Sequence, residues 1–503
     1  MRRMTRKPIR FAPLLVAGLL AGCMSGPNYR PPASATVPPA TGPFVSQASG
    51  VTPAAEPPAD WWRLYDDPAL DTLIEAALAA NTDLRAADAN LRRARALLSE
   101  ARAGRYPSTT TSDGATWGRG QTSQGGSFGS SDEQWTEQAG FAAAWEVDLF
   151  GRVGRAIEAA RADTAAVAAA RDAIRVTVVA ETTRTWSQAC ALGESLAVAR
   201  SSLLLTQDSY RVVEAQQRAG SASTLDLERA GTAVAQARAA IAPTEAQRRA
   251  ALFELAALIG RTPSEVPAAA SGCTRAPELR RPIPIGDGAA LLRRRPDVRR
   301  AERTLGADTA RIGLAIADLY PRISLGGAAN YLHSAKGNDG PALSFSLGPL
   351  ISWSFPNIAV ARSRVRQARA TAEVDLAGFD GVVLTALKET EQALSTYAAA
   401  LDERSALAEA RDRAERAFRL ADLRYRAGSI SYLDQIVAQT SLTDASAKLA
   451  DANLRVASDR VDVFKALGGG WEDPDVPLTR SKTSYSLGAP LGKATRHLNR
   501  SAQ

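Results

Sequence analysis

The sequence predicts a mainly α-helical chain with a small membrane β part, written twice in tandem, and three observations carry that reading. First, RAGSASTLD at 218–226 returns as RAGSISYLD at 426–434, matching at seven of nine positions with a spacing of 208 residues. The same offset lays Trp353 on Trp145, Glu389 on Glu181, Leu467 on Ile259 and Gly468 on Gly260. Upstream, Tyr320-Pro321 matches Tyr106-Pro107 at an offset of 214, so six extra residues lie between Pro107 and Trp145. A repeat this long is a copied half-domain and not a solenoid unit of about 20–50 residues. Second, proline-free runs rich in Ala, Arg, Glu and Leu extend from Arg152 to about Ala215 and from Ile358 to about Tyr425. At about 1.5 Å per residue each makes a rod close to 100 Å long, too long for a compact domain. Third, short alternating segments precede each rod, the cleanest being LSFSLGPLISWSF at 343–355.

Each element follows in order. Residues 1–22 read as an export leader: Arg2, Arg3, Arg6, Lys7 and Arg10, then the apolar run FAPLLVAGLL, then LAGC. Small Ala21 and Gly22 before Cys23 resemble a lipobox, in which Cys23 is expected to be acylated and to become the new N-terminus; the alternative is a free cysteine near an ordinary cleavage site. Met24 in place of Asp resembles lipoproteins sent on to an outer membrane. Residues 23–60 are Pro/Ala-rich with little charge and read as an extended tether. The first repeat occupies 61–260: a helix at 83–104, a β-hairpin ending in FAAAWEV at 141–147, the rod, a tip and a return helix. A crossover at 261–290 leads to the second repeat at 291–470, with a helix at 297–319 and strands at 322–331 and 343–355. The tail at 471–503 follows the stop signal Gly468-Gly469-Gly470 and reads as disordered.

At each tip Gly220 or Gly428 ends the rod, and Ser223 or Ser431 caps the return helix. Return helices of about 36 residues, stacked on the preceding helices, nearly match a rod in length. Alternation over about ten residues with aromatics near the ends fits outer-membrane strands and equally a half-buried soluble hairpin, and the lipobox favours the membrane. Two hairpins give only four strands, and a bilayer tolerates no open sheet edge. Strands are therefore pooled between chains, eight in a dimer or twelve in a trimer.

The formal charge of +8 falls to +3 without the five basic residues of the leader, which argues against a nucleic-acid partner. Two histidines, His333 and His497, and no H-E-x-x-H, P-loop or G-x-S-x-G motif leave no catalytic residue, metal site or cofactor to predict.

Several stretches resemble the TolC-like outer-membrane efflux proteins, in the OprM/NodT-type lipoprotein branch. They are LAGC with GPNYRPP at 20–32, Trp61-Trp62, WEVDLFGR at 145–152, RAGSASTLDLERA at 218–230, LLRRRPDVRRAER at 291–303, ADLYPRISL at 317–325, FPNIAVARSRV at 355–365 and RYRAGSISYLD at 424–434. They cover the chain from Cys23 to about Gly470. Many relatives carry a Gly-Arg pair where this chain has Ala359-Val360, whereas Gly151-Arg152 keeps it in the first copy. The resemblance implies a homotrimer: a tandem-duplicated α-barrel continuous with a 12-stranded transmembrane β-barrel, four strands per chain. It implies an outer-membrane exit duct of a tripartite efflux pump, with a periplasmic adaptor and an inner-membrane pump of the RND type as partners. A duct for type I protein secretion and a non-conducting coiled-coil envelope lipoprotein are the rival readings.

Site residues follow from the resemblance. Gly220, Ser221, Thr224, Leu225, Gly428, Ser429, Tyr432 and Leu433 are expected to dock the adaptor. Asp422 and Glu214, each four residues before Arg426 or Arg218, are the candidates for the periplasmic gate; the alternative is an acid–base pair on a solvated helix face. Once Cys23 is acylated, Cys190 and Cys273 remain as an even pair in an oxidising compartment. The family's crossover belts the middle of the rods, which brings a Cys190–Cys273 disulfide within reach; two buried thiols are the alternative.

Overall fold

A computed structural model of the chain describes residues 24–33, 38–46, 49–124, 127–334, 342–356 and 358–471. The leader, Cys23, His497 and the tail from 472 lie outside them. After a strap at 24–60, which carries β1 (Val51–Thr52), come α1 (Pro68–Ala80) and α2 (Thr82–Ala103). The hairpin β2 (Ser108–Gln124) and β3 (Ser127–Val147) leads into the first rod, α3 (Arg152–Arg218). The return path is broken into α4 (Thr224–Ala239) and α5 (Ile241–Leu258). Pro243 explains the break, because its ring collides with the carbonyl four residues back, at Ala239, where α4 ends. The crossover holds β4 (Ile283–Pro284) and α6 (Gly288–Arg294), followed by α7 (Pro296–Ala317). β5 (Arg322–Ser334) and β6 (Ala342–Ser352) precede the second rod, α8 (Ala359–Arg426), and its unbroken return helix α9 (Tyr432–Ala466).

Both return paths stack end to end on the helix that precedes the strands. Leu467 O and Ala466 O at the end of α9 accept from Arg294 Nε at 2.8 Å and Arg295 Nη1 at 3.0 Å, which joins α9 to the start of α7. Asn81 Nδ2 donates to Leu258 O at 3.1 Å and joins α5 to α2 in the same way. Laterally, α3 is flanked by α2 and α7 near the strands and by α4, α5 and α9 towards the tips, and α8 adjoins α7 and α9. The wall therefore has one free edge at α2, α4 and α5 and the other at α8.

The main apolar core is a belt at mid-rod. Trp61 stacks on Phe464 with ring centroids 4.4 Å apart. Leu70 and Ile74 of α1, Trp186 of α3, Leu255, Ile283, Leu291 and Leu394 close around them. Sequence patterning overlooks α1, although Asp67 caps it through Ala69 N and Leu70 N with Pro68 at its first position.

The expected free tether is a packed strap. Its described part is held by distant segments: Val45 N and Ser46 N donate to the Glu391 carboxylate at 2.7 and 2.8 Å, and β1 pairs in parallel with β4. Low hydrophobicity does not prevent this, because the strap is held by hydrogen bonds and close backbone approach. Trp471, expected to begin the tail, also packs: its Nε1 donates to Arg294 O at 2.9 Å and Arg299 lies over its ring.

Candidate functional site

Three features of the molecule have no structural need in an isolated chain: a two-faced sheet, its junction with the rods, and the paired tips. The sheet is antiparallel in the order β2-β3-β5-β6. Residues directly opposite one another share a face. One face carries the rows Phe141–Ala329–Phe345, Ala143–Gly327–Leu347 and Trp145–Leu325–Pro349. Leu343, Phe345 and Leu347 on it are 75%, 85% and 80% exposed, so no described part of the chain covers these apolar side chains. β2 is the polar member, adding Thr109, Thr111 and Asp113 to that face. The opposite face carries Ser112–Gly140–Asn330–Ser344 and Ala142–Ala328–Ser346. Trp117 opposes Trp135 at one level, and Trp145 lies ten residues down β3 from Trp135. Ten residues rise about 33 Å along a strand, or about 25 Å at the tilt usual for membrane barrels. The aromatic rows thus bracket a band of bilayer height, apolar from Ala139 to Ala143 on β3 and broken by Glu137 and His333 beside the Trp135 row. The six residues by which the first copy is longer belong to its hairpin, whose strands β2 and β3 continue well past Trp117 and Trp135. No helix of the described residues is long and apolar enough to cross a membrane.

At the junction, Trp145 Nε1 donates to Arg105 O at 2.9 Å and its counterpart Trp353 Nε1 to Leu319 O at 3.2 Å. The strap begins there as well. Ser25 N donates to Phe150 O at 3.2 Å, and buried Arg155 holds Ser25 O, Gly26 O and Asn28 Oδ1 at 2.9–3.1 Å. Only glycine fits at 313, since a methyl there would sit 2.7 Å from both Arg155 Nε and Ser25 O. The residues that follow Cys23 are therefore fixed beside the membrane band.

The tips are near copies. Gly220 and Gly428 have φ of 74° and 72°, a region that costs other residues about 1–2 kcal/mol. Ser223 with Asp226, and Ser431 with Asp434, form reciprocal capping boxes. Ser221 Oγ and Ser429 Oγ each donate back to a rod carbonyl at 3.0 Å, while Thr224, Leu225 and Leu433 are exposed. Tyr432 departs from expectation. It is buried among Val213, Ala230 and Tyr425, where it locks the two tips together and is withheld from any docking partner. Tyr425 Oη donates to Gln216 Oε1, and Ser209 Oγ to Gln439 Oε1 at 2.6 Å, so polar links also join the hairpins. Asp422 pairs with Arg426 at 2.9 Å and Glu214 with Arg218 at 2.7 Å, each within its own rod. Cys190 and Cys273 are joined by a disulfide with Cα atoms 4.9 Å apart. Arg248 braces it, donating to Ser271 O and Cys273 O at 2.7 and 2.8 Å. Among the described residues no cluster could hold a metal ion.

The family model described as outer membrane efflux protein matches residues 73–261 and 289–469. The chain is 30% identical to outer membrane protein OprJ of Pseudomonas aeruginosa, over 93% of this chain and 97% of that one. It is 32% identical to the toluene efflux pump outer membrane protein TtgI of Pseudomonas putida, over 91% and 98%. Among solved structures, the outer-membrane channel OprN superimposes with a TM-score of 0.81 at 32% identity, covering 89% of this chain and all of that one.

Proposed function

This chain belongs to the outer membrane efflux protein family, and on that premise we propose that three copies close into one passive duct carrying small solutes from the periplasm to the exterior. The observation that carries the proposal is the unfinished sheet, with one apolar and one polar face, in which the outer edges of β2 and β6 are unpaired among the described residues. Lipid cannot satisfy a strand edge, so β2 must pair with β6 of another copy. The two edges differ, which makes the contact head-to-tail and the assembly a ring. Three copies supply twelve strands, and the rods below continue the same ring.

Cys23 would carry the lipid anchor, which is supported by the fixing of Ser25 and Gly26 beside the membrane band. The exposed tip residues Ser221, Thr224, Leu225, Ser429 and Leu433 would meet a periplasmic adaptor, with Gly220 and Gly428 setting the turn. Energy would come from an inner-membrane pump, of the RND type by the family resemblance; the name of the relative TtgI, an efflux pump outer membrane protein, supports the pump. Asp422 and Glu214, with Arg426 and Arg218, would narrow the periplasmic end. The Cys190–Cys273 disulfide would bind the crossover belt to the first rod in the oxidising periplasm.

Single-channel recording in planar bilayers tests this. The purified wild type should conduct in discrete steps of low amplitude, and the Asp422→Ala, Glu214→Ala double variant in larger ones. A wild type that inserts as an oligomer but never conducts would sink the duct. Equal conductance in the double variant would leave the duct standing and remove the gate.

A further inference from the structure

The helix ends that meet the strands are rich in arginine, with Glu100 the one carboxylate between residues 99 and 105 at the end of α2. Arg102 in the last turn of α2 and Arg105 just beyond it are exposed, and neither pairs with any described residue. Residues 359–370 of α8 hold Arg362, Arg364, Arg366 and Arg369 and no acid. The positive end of the helix dipole disfavours cations in that first stretch, so these arginines do not serve the helix. Among the described residues Asp318 is the one carboxylate that pairs with any of them, taking Arg364 at 3.8 Å as well as Arg322 at 2.8 Å. Arg366 reaches only the Ser363 hydroxyl, at 3.0 Å, and Arg362 and Arg369 have no described partner.

Height and lateral position then specify what the arginines face. Arg105 precedes Tyr106 and accepts the indole N–H of Trp145 through its carbonyl, so it sits at the lower aromatic row, the level of the lipid headgroups. Arg362 lies in the first turn after β6, at the matching level of the other wall edge. α2 and α8 are the two free edges. Closing the ring sets the arginines of α2 beside those of α8 from the next copy, and two unpaired cationic clusters cannot adjoin without an anion between them.

The geometry points to an anionic phospholipid of the periplasmic leaflet lodged at each seam between copies. Arg102 and Arg105 of one copy and Arg362 and Arg366 of the next grip its phosphate through forked N–H groups. This rests on the ring proposed above.

The test is native mass spectrometry of the full-length trimer released from nanodiscs of phosphatidylglycerol or of phosphatidylcholine. Wild type should keep phosphatidylglycerol, one per seam, and lose phosphatidylcholine. The Arg102→Gln, Arg105→Gln, Arg362→Gln variant should retain phosphatidylglycerol roughly tenfold less or lower. The detergent-resistant wild-type trimer should also survive to a higher temperature in phosphatidylglycerol than in phosphatidylcholine, a comparison that needs no variant. An intact trimer indifferent to headgroup overturns the lipid site alone. A chain that stays monomeric in both lipids overturns the ring and the lipid site with it.

Discussion

Asp375 is a residue that the rods have to pay to keep charged. It lies on α8 facing Asp308 of α7, and the hydrogen bond it shares with that carboxylate, with burial added, lifts its pKa to about 6. Arg311 pulls the other way, but its guanidinium is already engaged by Asp308 at 2.5 Å and by Asp163 of α3 at 2.6 Å. A carboxyl whose pKa is raised by folding binds its proton more tightly in the folded state. Its contribution is therefore complete below about pH 4 and is lost as pH rises through about pH 6. The melting temperature of the wild type should fall across that window, and that of Asp375→Asn should fall less. Parallel profiles for the two proteins would show that the pair does not join α7 to α8. At the far end of the rod a tip carboxylate runs the opposite way, because Ser431 holds Asp434 below the usual carboxylate range.

At the scale of elements, the strands make the sharpest forecast. Phe345 lies near the middle of the apolar band, opposite Ala329, on the face that would meet lipid in the proposed duct. An arginine there costs about 2–4 kcal/mol of membrane stability. Phe345→Arg should shift the urea midpoint of folding into lipid vesicles downwards, whereas Ser344→Arg, on the inner face, should shift it far less. Equal shifts would mean that the two faces have been exchanged. Much of this level was legible in the sequence because it is written locally: uninterrupted helix formers give the rods, Gly220 and Gly428 give the turns, and period-two alternation gives β6. The rest depends on contacts made far along the chain. Nothing near Ser25 shows that Arg155, about 130 residues on, will hold it, so the strap read as a tether. Tyr432 read as a surface residue because its cover, Tyr425 and Val213, arrives from two other helices. Pro243 could have marked the break at Ala240, but the uninterrupted helical composition on both sides concealed it.

For the whole molecule, the unpartnered edges also leave apolar side chains uncovered. Leu97 on α2 is 55% exposed, and Val374 and Leu384 on α8 are 69% and 67% exposed. Ring closure would cover them, each leucine gaining on the order of 1.5–3 kcal/mol if fully buried. Leu97→Glu and Leu384→Glu should each lower the trimer fraction in size-exclusion chromatography with light scattering while leaving the helical circular dichroism unchanged. An undiminished trimer would place the contact elsewhere. The duplication, finally, has a consequence for ancestry and symmetry. The join inside one chain, where α3 meets α7 and α9, brings the end of one half against the start of the other. The join between chains would bring α8 against α2, α4 and α5, the same halves in the opposite order. A ring of three is then nearly a sixfold rotor, and it points to a forebear that assembled from six identical half-length chains before its gene was doubled. Doubling released every second position from strict identity, which is how Pro243 could break one return helix and leave the other whole.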